Sequence, residues 1–70
     1  MRYPSFEVFY AEAADDCFRA VAVAVGNGGD AADLVHEAFT RALTRWPEVA
    51  THPSPIAWVI RTAMNLHRDR

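Results

Sequence analysis

From Phe6 onward, apolar residues return every three or four positions: Phe6, Tyr10, Ala13, Cys17, Ala20 and Ala24. That period places them on one face of a helix, with Phe9 and Val21 beside them. Ser5, after Pro4, suits an N-cap, because a side-chain oxygen there accepts from an N–H of the first turn. Gly26 supplies a left-handed residue to end the helix, and Gly26-Asn27-Gly28-Gly29 breaks the pattern.

A second stripe begins after Asp30, an expected N-cap with Asp33 three residues on. Ala31, Val35, Ala38, Phe39, Ala42 and Trp46 share one face. Asp33, His36, Glu37, Thr40 and Thr44 line the opposite face, with Ala32 and Leu43 on its margin. This helix is expected to run to about Trp46, before Pro47. Three prolines between Pro47 and Pro55 mark a second break. Ser54 then reads as an N-cap and Pro55 as the first helical residue, where proline's missing N–H costs nothing. Ile56, Val59, Ile60, Ala63 and Leu66 form the third core face; Trp58, Arg61, Thr62, Asn65, Arg68 and Asp69 lie away from it. Three one-sided helices must cover one another, and no segment alternates as a strand would. The expected fold is all-α, a compact three-helix bundle with helices over about 5–25, 30–46 and 54–69. Trp58 stands out, because a tryptophan on the polar face of a helix is a poor choice for solubility and stability alone; packing beneath the Pro47–Pro55 loop is one account of it.

Composition narrows the picture. Seventy residues allow one small domain with a marginal core. The longest apolar run, Ala20 to Val25, is six residues, far short of the ~18 to 20 that a membrane span needs. Met1-Arg2-Tyr3-Pro4 lacks a basic segment leading into an apolar one, so the expected compartment is the cytoplasm. The single cysteine, Cys17, excludes an internal disulfide and reads as a small buried hydrophobe. Net charge is −2, unevenly spread: residues 1–48 hold four arginines against eight acids, and residues 49–70 hold Arg61, Arg68 and Arg70 against Asp69. An acidic first part and a basic end suit two partners of opposite charge, although so short a chain also reaches this balance by chance.

Catalytic patterns are missing. His36-Glu37 opens like the zinc motif HExxH, but Thr40 stands where the second histidine belongs. His52 and His67 have no spacing that builds a metal site. No phosphate-cradling glycine motif and no Ser-His-Asp or Cys-His set is readable. Neighbouring Asp15 and Asp16 point apart on a helix. The chain reads as a non-enzyme without metal or cofactor.

Two strings carry a resemblance. Ala32-Asp33-Leu34-Val35-His36-Glu37-Ala38-Phe39, followed by Arg41-Ala42 and Trp46, resembles the second conserved region of bacterial RNA polymerase sigma factors of the sigma-70 family. Ala57-Trp58-Val59-Ile60-Arg61-Thr62-Ala63-Met64-Asn65-Leu66, ending in Asp69-Arg70, resembles the adjoining part that meets the promoter. Phe6-Glu7-Val8-Phe9-Tyr10 also fits, and within the family the chain is most similar to the extracytoplasmic-function group (group 4).

The resemblance implies a domain that binds core RNA polymerase and recognises and melts the −10 promoter element. It implies that Asp33, His36, Glu37 and Thr40 dock on a coiled coil of the largest polymerase subunit; His36 departs from the usual glutamine. It implies that Trp58 is a wedge at the edge of melted DNA, while Arg61 meets phosphate and Thr62 and Asn65 reach bases or backbone of the non-template strand. The loop Glu48–Ser54 corresponds to the segment that captures a flipped-out promoter base, with Thr51, His52, Pro53 and Ser54 as the specificity residues. Residues 1–70 correspond to this one domain; the helix-turn-helix domain that binds the −35 element in such proteins has no counterpart here.

A second reading is a sigma-like interaction module, bound by an anti-sigma factor or another regulator, that never melts DNA. A third, a helical domain that binds duplex DNA alone, sits poorly with a net charge of −2, because duplex affinity rests largely on phosphate neutralisation.

Overall fold

The computed structural model describes residues 3–26 and 29–69. They form three long helices, α1 (Phe6–Val25), α2 (Ala31–Thr44) and α4 (Pro55–Asp69), and a single-turn helix, α3 (Trp46–Ala50). No strand occurs among the described residues. The helix α2 packs against both α1 and α4, α1 also touches α4, and α3 closes the corner between α2 and α4. The expected all-α bundle is therefore the observed one.

The start of α1 is as expected: Ser5 Oγ accepts from the Val8 N–H at 3.2 Å. Its buried row is not. Phe9, Ala13, Cys17 and Val21 are fully covered, whereas Tyr10 is 47% exposed and Ala20 and Ala24 face solvent. The alternating spacing presumed a seam parallel to the helix axis. Steps of four throughout trace a row that slants around the cylinder, as helices crossing at an angle require. At the far end, Gly26 has φ +81° and its N–H bonds to the Ala22 carbonyl at 3.0 Å. Its ψ of −177° puts it outside the left-handed helical region, in a conformation only glycine adopts readily. Gly29 is closely approached: a Cβ there would lie 2.6 Å from Val25 Cγ2 and 3.2 Å from the Gly26 carbonyl oxygen, so a side chain would have to displace Val25. Asn27 and Gly28, in the expected turn, lie outside the described residues.

Asp30 occupies the N-cap position of α2 without a side-chain cap bond; its carbonyl accepts the Leu34 N–H at 2.8 Å. Leu34, which the stripe omitted, is fully buried beside Val35, Ala38, Phe39 and Ala42. The helix ends at Thr44 rather than Trp46. Pro47 has no N–H to continue the ladder and disfavours helical backbone before it, so the chain breaks at Arg45 and restarts with proline in the first turn of α3. That restart makes part of the expected loop, Glu48 to Ala50, helical. It also turns Trp46 onto Phe6 and Phe9, with ring centroids 5.7 and 5.4 Å away. Ser54 Oγ accepts from the Ala57 N–H at 3.2 Å, starting α4 as expected.

The core joins Phe9, Leu34, Phe39, Val49 and Val59 to buried alanines on three helices: Ala13, Ala38, Ala42 and Ala63. These small residues let the axes approach, the role that Ala20 and Ala24 do not fill. No helix among the described residues is long and apolar enough to cross a membrane.

Candidate functional site

The outer face of α2 forms a ridge. Asp33, His36 and Thr40 are exposed and Glu37 is partly so. Two hydroxyls on it are turned inward, Thr40 Oγ1 donating to the His36 carbonyl (3.0 Å) and Thr44 Oγ1 to the Thr40 carbonyl (3.1 Å). Glu37 Oε2 accepts from Arg41 Nη2 at 3.2 Å. This solvent-exposed pair one helical turn apart contributes well under about 1 kcal/mol, so an incoming partner separates it cheaply. On the side toward α1, the ridge borders a hollow of about 200 Å³ lined by Phe6, Tyr10, His36, Phe39, Thr40 and Leu43.

Toward α4 the ridge borders a larger hollow, of about 380 Å³. From α2 and its C-cap come Thr40, Arg41, Thr44 and Arg45; from α4 come Trp58, Thr62, Asn65, Leu66 and Asp69. Here the structure joins what the sequence kept apart. Arg41 and Arg45, counted with the acidic first part of the chain, stand across from Trp58, Thr62 and Asn65. Their signal was visible in retrospect: two arginines four apart share a helix face. The charge difference between the two ends of the chain is thus not a division of the molecule into two sides.

Trp58, which the helical wheel puts on the polar face, is partly buried. The ring is half-buried against the core, at the corner where α3 meets α4. It is also the wall shared by two hollows. The second, of about 250 Å³, is lined by Glu48, His52, Ala57, Trp58 and Arg61. The Trp58 carbonyl accepts the Thr62 hydroxyl at 2.8 Å, which leaves the Thr62 oxygen as an acceptor only. Arg68 Nη2 donates to the Asn65 side-chain oxygen at 3.1 Å, so the Asn65 amide nitrogen remains the group with donors to offer.

The four loop residues divide by task. Thr51 Oγ1 donates to the Pro47 and Glu48 carbonyls at 3.2 and 3.1 Å, closing α3, and Ser54 caps α4. Pro53 is exposed between them. Only His52 of the four lines the hollow beside Trp58. Its Nδ1 accepts the Ser54 N–H at 2.9 Å, which puts the ring proton of the neutral form on Nε2 as a donor. Arg61 is exposed on the same rim; Glu48 Oε1 stands 3.5 Å from Arg45 Nη1. Glu48, Arg41 and Arg45 are site residues that the helical periodicity did not single out.

Chemistry of other kinds finds little to work with. No cluster of three or more His, Cys, Asp or Glu side chains suited to a metal ion occurs among the described residues. The buried Cys17 thiol is pushed up to about 11, first by burial and then by the charge of Asp16, so it is a poor nucleophile near neutrality.

The family described as Sigma-70 region 2 matches residues 9–70, which takes in α2, α3, α4 and all but the first turn of α1. No curated protein and no solved structure matches.

Proposed function

The chain belongs to the Sigma-70 region 2 family, the part of sigma factors that binds core RNA polymerase and melts the −10 promoter element, and on that premise we propose how its surface divides this work. The α2 ridge of Asp33, His36, Glu37 and Thr40 docks on the coiled coil of the largest polymerase subunit. The face built around Trp58 receives the non-template strand of the −10 element. The domain acts in the cytoplasm as the promoter-melting part of a sigma factor of the extracytoplasmic-function group.

The observation that carries this reading is the position of Trp58. Its ring packs against the core, and the part left exposed walls two hollows edged by Arg41, Arg45 and Arg61. An anchored aromatic face replaces the stacking that a base loses on unpairing, worth about 1 to 3 kcal/mol per base. The arginines meet phosphates, while Thr62 and Asn65 present an acceptor and donors to a base or sugar. The polymerase ridge and the Trp58 hollow meet at Thr40 and Arg41, so docking and strand capture take place on adjoining surfaces. Within the loop, the hollow of His52, Trp58 and Arg61 holds the captured base.

Binding measurements test both halves. Asp33→Arg and Glu37→Arg are each expected to weaken binding to core RNA polymerase at least about tenfold while the helical circular dichroism spectrum stays native, since a reversed charge at a docking face repels its partner. Trp58→Ala is expected to abolish the preference for single-stranded over duplex −10-like DNA. Arg45→Ala and Arg61→Ala should each lower affinity for every sequence and reduce the salt slope by about 0.7 per lost phosphate contact. Unchanged polymerase affinity in both ridge variants, together with equal affinity for single and double strands, would favour an interaction module held by an anti-sigma factor.

A further inference from the structure

The hollow beside the loop contains one group at odds with binding a polyanion. Glu48 lines it together with His52, Ala57, Trp58 and Arg61; its exposed carboxylate stands 3.5 Å from Arg45 Nη1 and so offsets a cation that would otherwise meet phosphate. Removing it would raise general affinity, so its place in the wall asks for a recognition role. The surroundings supply one. Trp58 offers a flat apolar face, Arg61 and the His52 Nε2–H offer donors, and Glu48 is the only carboxylate among the lining residues. A hollow of about 250 Å³ has room for one base.

We propose that Glu48 is a specificity-determining residue of this hollow, selecting a captured base that carries an exocyclic amine and disfavouring one that presents a carbonyl in its place. This rests on the reading of the Trp58 face as a single-strand surface. Cytosine presents its N4 amine beside ring acceptors, and adenine its N6 amine; thymine and uracil present O4 instead. Against a carboxylate, the amine donates a charge-assisted hydrogen bond, whereas O4 brings two acceptors face to face. Arg61 and the His52 Nε2–H meet the acceptors that follow along the edge of an amine-bearing base. Specificity so built is a difference in affinities, and Glu48 contributes mainly the repulsive half, at some cost in general affinity.

Cytosine and uracil separate this idea from size and stacking, because they share a ring and differ at the amine and its neighbouring ring proton. Fluorescence anisotropy with labelled ten-nucleotide oligo-deoxycytidine, oligo-deoxyuridine and oligo-deoxyadenosine reads the preference, using the full chain at low salt with and without core RNA polymerase. The wild type is expected to bind deoxycytidine about five- to tenfold more tightly than deoxyuridine, the lower end of what a well-placed base contact contributes. Deoxyadenosine, which carries the N6 amine, is expected to bind more tightly than deoxyuridine as well. Glu48→Ala should bind all three more tightly and bring the deoxycytidine-to-deoxyuridine ratio close to one. In Glu48→Gln, whose amide both donates and accepts, deoxyuridine should gain most. If the wild-type ratio is already one, or survives Glu48→Ala, while Trp58→Ala weakens binding to every strand, the role of Glu48 is overturned and the single-strand surface stands. If no strand binds in any form, even with core polymerase present, the surface itself is refuted and the Glu48 assignment with it.

Discussion

Phe39 is the side chain on which the bundle depends most visibly. Its ring is 2% exposed and lies 4.9 Å from the Tyr10 ring, 5.6 Å from Phe9 and 6.3 Å from Phe6, so one residue of α2 holds the whole aromatic end of α1. Truncation to alanine removes that contact and leaves a cavity, which costs about 3 to 5 kcal/mol. At roughly 0.05 to 0.15 kcal/mol per residue, a chain this small has only about 3.5 to 10 kcal/mol in total. Phe39→Ala should therefore unfold much of the population at room temperature. Phe39→Leu is the more informative change, since it keeps most of the volume and removes the ring. The edge-to-face contact with Tyr10 is worth about 0.5 to 1.5 kcal/mol beyond burial. With some loss of packing, a total of about 1 to 2 kcal/mol is expected. In a domain of this size that lowers Tm by about 5 to 15 °C. Thermal and urea unfolding of Phe39→Leu, Tyr10→Leu and the double variant would isolate the ring pair as a coupling energy of about 0.5 kcal/mol or more. A Phe39→Leu protein melting with the wild type, or a cycle with no coupling, would refute this account of the α1–α2 seam.

The Cys17 thiol predicts a pH dependence. Its folded value of about 11 lies above the ordinary 9.0, so the stability it contributes is intact below pH about 9 and is lost as pH rises toward 11, because the unfolded chain releases its proton first. Urea unfolding should show Cys17→Ala with a shallower alkaline decline than wild type, the two curves converging by about 2 to 3 kcal/mol over that window; parallel curves would contradict burial of the thiol. Alanine positions test the slanted core row. Ala24→Leu on the exposed side should change stability by less than about 0.5 kcal/mol, whereas Ala63→Leu at the closed seam should cost about 1 to 3 kcal/mol through overpacking. Similar melting of the two variants would place the seam elsewhere.

Much of this molecule is decided within short stretches of chain. Helix existence follows from three-and-four spacing, and helix starts follow from Ser5 and from Ser54 with Pro55, because period and cap chemistry involve only residues a turn or two apart. The outward position of Asp33, His36 and Thr40 follows from the same arithmetic. The strings around Asp33 and Trp58 carry the family resemblance without any coordinates. Crossing angle does not reside in one helix. Whether Ala20 or Val21 is covered depends on how α2 and α4 lie across α1, so the straight stripe was rotated by its neighbours. The break at Arg45 was signalled by Pro47, but its result was not: a restarted turn that turns Trp46 onto Phe6 and carries Glu48 to the rim beside Trp58. The meeting of Arg41 and Arg45 with Trp58, Thr62 and Asn65 joins residues 13 to 24 positions apart along the chain. Local rules place each of them on a helix face, and only the packing of α2 against α4 turns two faces into one surface.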